Sequence, residues 1–390
     1  MPVVTLSLLF ILLTLILLGL IESKFHASSI SKIPIRIHVN GTRGKSSVTR
    51  LIAAGLRAGG IKTFAKTTGS SPRFIDDNGN DHIIQRFRPA SIGEQIRMIS
   101  RFSKDAPQAI VMECMAVQPQ YQWVSEHKIL QSNYNVITNV RADHLEEMGY
   151  SHDHIAKSLS NTIPFNSKVF TSEVESSKSI INKSIENNSD VSVCTGEYLS
   201  QKYIEGFPFI EHHDNIALAL GVCESLGVSK DQAIVGMRKT NPDPGSLSIL
   251  KLEIKGSKID FVNAFAANDP NSTYRTWEII ENYYKGRKKI AIFLNTRSDR
   301  QLRTQQLLDL IFKSINLNHL IVRGDNIEDD IISRCNKYRN IKFSLFKNEE
   351  DPLLIIDTMA ELDGYLVVGI GNIVGWGEDF IKQLREYKNA

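Results

Sequence analysis

The sequence predicts an α/β protein of two domains behind one transmembrane helix, and three observations carry that expectation. A glycine turn, Asn40-Gly41-Thr42-Arg43-Gly44-Lys45-Ser46-Ser47, lies between an alternating apolar run, Ile33–Val39, and a helix-like run, Lys45–Ala58. Beyond a proline–glycine breaker, Asn241-Pro242-Asp243-Pro244-Gly245-Ser246, strand and helix patterns alternate to the end of the chain, the signature of a second, Rossmann-like α/β domain. Finally, Val3–Ile21 is uncharged and almost wholly apolar, long enough to cross a bilayer.

A length of 390 residues suits two or three domains, and 42% hydrophobic with 23% charged residues is ordinary for a globular chain. The net charge of +3 points to no particular partner and requires no nucleic acid. Cys114, Cys194, Cys223 and Cys335 are far apart and form no C-x-x-C pair, so they read as reduced thiols of a cytosolic protein. A cleaved leader would have basic residues before the apolar run and small ones after it. Here Met1-Pro2 precede it and Glu22-Ser23-Lys24-Phe25-His26 follow. Lys24, Lys32 and Arg36 all follow the run, which places the bulk of the chain in the cytoplasm. The expected divisions are an anchor at 3–21, a juxtamembrane linker at 22–32, a phosphate-loop domain at 33–244 and a C-terminal domain at 245–390.

Strand, glycine turn, then Lys-Ser opening a helix is the layout of a phosphate-binding loop. Glycines let backbone N–H groups close on phosphate oxygens, and the helix start adds its positive dipole end. Lys45 supplies a mobile charge and Ser46 a hydroxyl for Mg²⁺. The longer G-x-x-x-x-G-K-[ST] form would need glycine where Val39 stands, so the loop is a shortened one. Ala109–Glu113 reads as a buried strand ending on a carboxylate, which is costly unless paired or metal-bound. Asn135–Val140 is a second such strand and runs into Arg141-Ala142-Asp143-His144. In a doubly wound sheet the carboxyl ends of strands are where ligands bind. Lys66-Thr67-Thr68-Gly69-Ser70-Ser71-Pro72 reads as a polar turn, and His213-Asp214-Asn215 opens an apolar helix capped by Asp214 or His213.

In the C-terminal part, strands are expected at 258–263, 288–295, 319–323, 341–345 and 364–369, with helices at 271–284, 302–315, 352–362 and 374–387. Asn295-Thr296-Arg297-Ser298-Asp299-Arg300 follows a strand end. Two arginines and an aspartate there suit a carboxylate-rich substrate or phosphates.

The loop, Glu113 and Asp143-His144, in this order and spacing, resemble the Mur ligase and folylpolyglutamate synthase superfamily. With Pro242-Asp243-Pro244-Gly245, Phe265-Ala266-Ala267-Asn268-Asp269, Asn295-x-Arg297-x-Asp299-Arg300 and Gly371-Asn372, the chain looks like the ligase subunits of poly-γ-glutamate synthases, the PgsB/CapB family. The resemblance covers nearly the whole chain and implies a Mur-type central ATPase domain. It implies binding of ATP by Gly41, Thr42, Arg43, Gly44, Lys45, Ser46 and Ser47, with Asn215 near the adenine. Ser46, Glu113 and His144 would hold Mg²⁺. The ribose contact falls to Asn263, Asn268 or Asp269, since the superfamily's histidine-bearing turn is not matched here. An arginine that superfamily members often carry is replaced by Ser246. Lys45, Glu113, His144, Arg297, Asp299 and Arg300 would be the catalytic set.

The implied reaction is ATP-dependent amide ligation through an acyl phosphate, releasing ADP and phosphate, to build poly-γ-glutamate as capsule or released polymer. Asp143 and the ATP-derived phosphate are the candidates for taking the amine's proton, and Lys157 lies where many Mur ligases carry a carbamylated lysine. The implied partners are glutamate, the growing chain and multi-spanning membrane subunits of one synthase, with a homo-oligomer open. Two alternatives use the same loop: a membrane-bound ATPase that powers polymer export, and a ligase of the folylpolyglutamate synthase type.

Overall fold

The computed structural model describes residues 2–388 apart from 69–71, 87–89, 176, 208, 210, 243–246, 266–269, 285, 287–288, 326–327 and 338–340. Of the expectations above, Asn268 and Asp269, the breaker residues Asp243–Ser246 and the turn residues Gly69–Ser71 lie outside the described residues.

Helix α1 (Pro2–Ser31) is unbroken, so most of the expected linker at 22–32 is helical instead. No helix-breaking proline follows until Pro34, and the last turns are held by packing the apolar run does not foretell. His26 Nε2 bonds the Ile129 carbonyl at 2.7 Å, and Ile30 and Ile33 are buried with Met98, Ile99 and Phe102. From Val3 to Phe25 α1 is exposed, and it is the one described helix long and apolar enough to cross a membrane.

The contacts divide the chain into two compact units, residues 1–207 with 211–241, and residues 208–210 with 242–390. In the first, β1 (Ile35–Asn40) leads through the loop to α2 (Lys45–Ala58), then β2 (Thr63–Thr67), β3 (Arg73–Ile75), β4 (Asp81–Ile83), α3 (Gly93–Phe102) and β5 (Ala109–Glu113). A helical run follows, α4 (Pro119–Val124) passing directly into a π-helical turn at Ser125–Leu130. After β6 (Tyr134–Ile137) come α5 (Leu145–Met148), α6 (His152–Leu159), β7 (Lys168–Thr171), α7 (Ser177–Glu186), β8 (Asp190–Val193), α8 (Gln201–Ile204), α9 (His213–Ser225) and α10 (Lys230–Arg238).

The strands form one eight-stranded sheet in the order β4-β3-β2-β5-β1-β6-β7-β8, parallel except for the β2-β3-β4 hairpins. Val39 lies opposite Glu113 and Asn40 opposite Ile137, so the loop emerges between the carboxyl ends of β5 and β6. Val48, Leu51, Ile52 and Leu56 of α2 are fully buried in the core shared with α9 and α10. Each contributes about 1.5–3 kcal/mol by burial, which fixes the helix whose first turn must meet phosphate. The far face of the sheet is covered by α3 and the end of α1.

The second unit is a six-stranded sheet, β13-β12-β11-β14-β10-β9. Its elements in order are β9 (Ser248–Ile254), β10 (Ser257–Asn263), α11 (Pro270–Tyr283), β11 (Ile290–Asn295), α12 (Gln301–Ser314), β12 (His319–Arg323), α13 (Glu328–Lys337), β13 (Lys342–Phe346), α14 (Pro352–Met359), β14 (Leu366–Gly371) and α15 (Trp376–Leu384). The expected strands and helices are present within a few residues. Strand β9, not foreseen, pairs antiparallel with β10 and alternates buried and exposed residues. The helices at 119–130, 152–159, 230–238 and 328–337 are likewise additional to the expectation.

Candidate active site

The loop is shaped by the strand beside it. Thr42 donates its hydroxyl to Asn139 Oδ1 (2.7 Å) and accepts the Arg141 N–H (3.0 Å), while its own N–H donates to the Asn139 carbonyl (3.2 Å). The Arg43 N–H donates to Asn139 Oδ1 (3.1 Å), and the Arg43 carbonyl accepts from Thr138 Oγ1 (2.6 Å) and Asn139 Nδ2 (3.0 Å). The amides of Lys45 and Ser46, in the first turn of α2, have no intrahelical acceptor and remain the natural phosphate donors.

Two glycines are obligatory here. Gly41 has φ 132° and Gly44 has φ 80°, left-handed values that disfavour a side chain. A Cβ on Gly41 would strike Thr138 Oγ1, and one on Gly44 would sit 2.7 Å from Asn215 Oδ1. Asn215 therefore packs directly on the loop. Its amide donates to Glu211 Oε1 (2.7 Å), and Glu211 also takes the His212 N–H and the Ser47 hydroxyl. Burial lifts the Glu211 carboxyl above its ordinary range, against the pull of those bonds. The cap of α9 is His212, whose Nδ1 accepts the Asp214 N–H, rather than Asp214 or His213.

Glu113 closes β5 and is buried. One carboxylate oxygen, Oε2, accepts the Ser46 hydroxyl (2.8 Å) and the Thr68 N–H (2.6 Å), and Gln95 Nε2 holds the Glu113 carbonyl (3.0 Å). Lys45 Nζ rests on the carbonyls of Gly41 (2.7 Å) and Thr42 (3.2 Å). Gly41, Thr42, Lys45, Thr68, Glu113 and His144 line one cleft of about 200 Å³, with Asp143 beside them. Asp143 faces Arg43 (3.6 Å), and His144 is exposed with φ 46°. Among the described residues no three His, Cys, Asp or Glu side chains converge as a metal cluster. Ser46 and Glu113 are brought together, whereas His144 shares only their cleft. A hydroxyl and one carboxylate suit Mg²⁺, which keeps several waters and takes few protein oxygens. Lys157 is exposed, paired with Asp153 at 2.7 Å, and does not line the cleft.

Beneath the loop, His38 of β1 is buried and bonds Glu126 (2.7 Å), which also accepts the N–H and hydroxyl of Ser132. Burial works against a charged imidazole, but Cys114 and Glu126 outweigh it and raise His38 to about 10. Lys66, expected in a polar turn, lies buried in β2 and pairs with Glu94 (2.9 Å), as does Arg86 (2.7 Å). Burial pushes the Glu94 carboxyl up, and Arg86 and Lys66 pull it down to about 2.

In the second unit, Arg297 and Asp299 are paired with each other (2.6 Å) at the surface, and Arg300 is exposed. Arg297, Arg300 and Arg303 line a small cleft of about 30 Å³ with Asn295, Thr304 and Gly371. Arg303 went unremarked in the sequence, although it stands one helical turn after Arg300. Asn263 is buried and turns its side-chain oxygen to the Phe265 N–H, so it serves its own turn.

A phosphate loop at the carboxyl ends of a mostly parallel sheet, followed by a separate α/β unit, defines a Mur-type ligase. Residues 39–217 match the family model of the Mur ligase middle domain. Among solved structures, the folylpolyglutamate synthase of Thermotoga maritima has the same fold (TM-score 0.66, 16% identity, 93% of each chain). So does a bifunctional folylpolyglutamate synthase/dihydrofolate synthase with Mn, AMPPNP and L-glutamate bound (TM-score 0.61, 14% identity, 93% of each chain). Residues 249–387 match the poly-gamma-glutamate synthase CapB C-terminal domain. PGA synthase CapB of Bacillus subtilis (strain 168) is 34% identical, over 96% of both chains. The capsule biosynthesis protein CapB of Bacillus anthracis is also 34% identical, over 95% of this chain and 81% of that protein. The chain belongs to the CapB family of poly-γ-glutamate synthases, and it is an ATP-dependent amide ligase.

Proposed function

We propose that this ligase is held in the membrane by α1, with both units on the cytoplasmic side, and extends poly-γ-glutamate by one glutamate per ATP. The chain-end γ-carboxylate attacks the γ-phosphorus of ATP, the bond to ADP breaks, and an acyl phosphate forms. The amine of the incoming glutamate attacks the acyl carbon, the amide bond forms, phosphate leaves, and the amine's proton passes to Asp143 or to the departing phosphate. Lys45 moves from the Gly41 and Thr42 carbonyls to the transferring phosphoryl group, and the first-turn amides of α2 hold its oxygens. Asn215 lies beside the adenine, and Asn263, Asn268 or Asp269 meets the ribose. Ser46 and Glu113 would hold Mg²⁺, with His144 placed for a second ion; bound Mg²⁺ would neutralise charge on the phosphates. Arg297 and Arg300 grip glutamate carboxylates, and Asp299, paired with Arg297, holds that arginine and faces the incoming amine. The product serves as capsule or released polymer, and further membrane subunits complete the synthase.

The observation that most supports this reading is Glu113 at a strand end, sharing one oxygen between the Ser46 hydroxyl and the Thr68 amide beside the loop. The test is glutamate-dependent ADP release in membranes carrying the chain, followed together with γ-linked polymer. ADP and polymer should rise together with glutamate, and Lys45→Ala should lower both on the order of 10²–10³-fold. Turnover indifferent to glutamate, with no new amide bonds, would point to an ATPase that powers export.

A further inference from the structure

The anchor helix does not hang from a loop. It is clamped to the nucleotide-binding unit, through the His26–Ile129 bond and the burial of Ile30. That clamp decides which face of the unit meets the membrane, given the anchored reading above, on which this inference rests. We infer that exposed Trp123, Phe165 and Lys128, gathered around half-buried His127, sit in the headgroup layer of an anionic bilayer.

The distances carry the argument. At 1.5 Å per residue the apolar run Val3–Ile21 spans about 28 Å, close to the hydrocarbon thickness of a bilayer. His26 follows Ile21 by five residues, or about 7 Å of helix, and the headgroup layer is about 5–8 Å thick on each side. The Ile129 carbonyl that receives His26 therefore stands at headgroup depth.

Trp123, His127 and Lys128 belong to the same helical run as Ile129, and Phe165 packs on His127 from the loop before β7. The Trp123 and His127 rings lie 5.0 Å apart, the His127 and Phe165 rings 5.2 Å apart, and Lys128 Nζ is 5.5 Å from the Trp123 ring. Trp123 is 40% exposed and Phe165 60%, which is unusual for large aromatic side chains in contact with one another. Lys24 on α1 and Lys32 just past its end add exposed cations, and Phe25 beside Lys24 is 72% exposed. Amphipathic aromatics and lysines just beyond an apolar span are the residues that settle at a membrane interface, the lysines favouring anionic lipid.

The test reconstitutes the full chain in phosphatidylcholine vesicles with a minority of phosphatidylglycerol, the lipids brominated near the headgroup or not. Trp277 is buried and Trp376 half-buried. The difference in emission between wild type and Trp123→Phe therefore isolates Trp123. Bromination should lower that difference about twofold. Lys128→Glu should remove the extra quenching that phosphatidylglycerol brings. Unchanged Trp123 emission in a chain that floats with the vesicles would overturn the inference and spare the anchor. Quenching equal in vesicles with and without phosphatidylglycerol would overturn the preference for anionic lipid. A chain that does not float with the vesicles would overturn both the anchor and the inference.

Discussion

The two arginine- and carboxylate-bearing regions of this molecule are built on opposite plans. Around the phosphate loop the flanking groups are held by neighbours, Thr42 and Arg43 by Asn139, Ser46 and Thr68 by Glu113, and Asn215 by Glu211, which leaves the first-turn amides of α2 open. At the end of β11 Arg300 stands in solvent, and half-exposed Arg297 pairs with its near neighbour Asp299. The first region is organised before any ligand arrives, so little reorganisation remains to be done when charge shifts on a phosphate. The second keeps its side-chain freedom and must be ordered by what it binds, which suits a flexible, repeating carboxylate substrate.

That difference can be broken experimentally, beginning where the effect is greatest. Glu113→Gln keeps shape but removes the charge that receives Ser46 and Thr68. Turnover should fall on the order of 10²-fold, with a higher Mg²⁺ requirement in a metal titration. An unchanged metal requirement would mean that Glu113 supports the loop without meeting the ion.

The buried support beneath the loop should show next, in stability. The folded state raises the His38 pKa from its ordinary 6.5 to about 10. The stabilisation is thus complete below about pH 6.5 and is lost as pH rises through about 10. Glu126→Gln should cost about 3 kcal/mol near pH 6.5, and the gap to wild type should narrow toward pH 9 in thermal melts. A gap constant across that range would assign the cost to hydrogen bonding alone.

The smallest effect belongs to the exposed region. Arg300→Ala should raise the glutamate KM about tenfold and leave the ATP KM unchanged. Arg297→Ala should do less, because Asp299 already engages Arg297. An equal rise in the ATP KM would move the cluster to nucleotide binding.

The same contrast explains what the sequence disclosed. The loop, the glutamate closing β5 and the alternating strands of the second unit are short-range patterns, and they stood in the chain in readable order. Asn139 lies within the strand run 135–140, yet its grip on Thr42 joins residues 97 apart, which no local spacing reveals. Lys66 looked like part of a polar turn, because its partner Glu94 arrives on a separate helix. The extension of α1 to Ser31 was hidden for a like reason: hydropathy falls after Ile21, and packing against α3 takes over from it. Strand β9 depends on its antiparallel partner β10 in the same way.

The bonds from Thr42 and Arg43 to Asn139 carry one more consequence. They make the loop's length a property of two segments at once. Two residues inserted after Gly41, which would give the longer form of the turn, would carry Thr42 out of register with the end of β6 and empty both amide contacts. Loop and strand end can therefore be exchanged between relatives only as a pair. Anyone grafting a different phosphate loop onto this scaffold would have to transplant residues 138–141 with it.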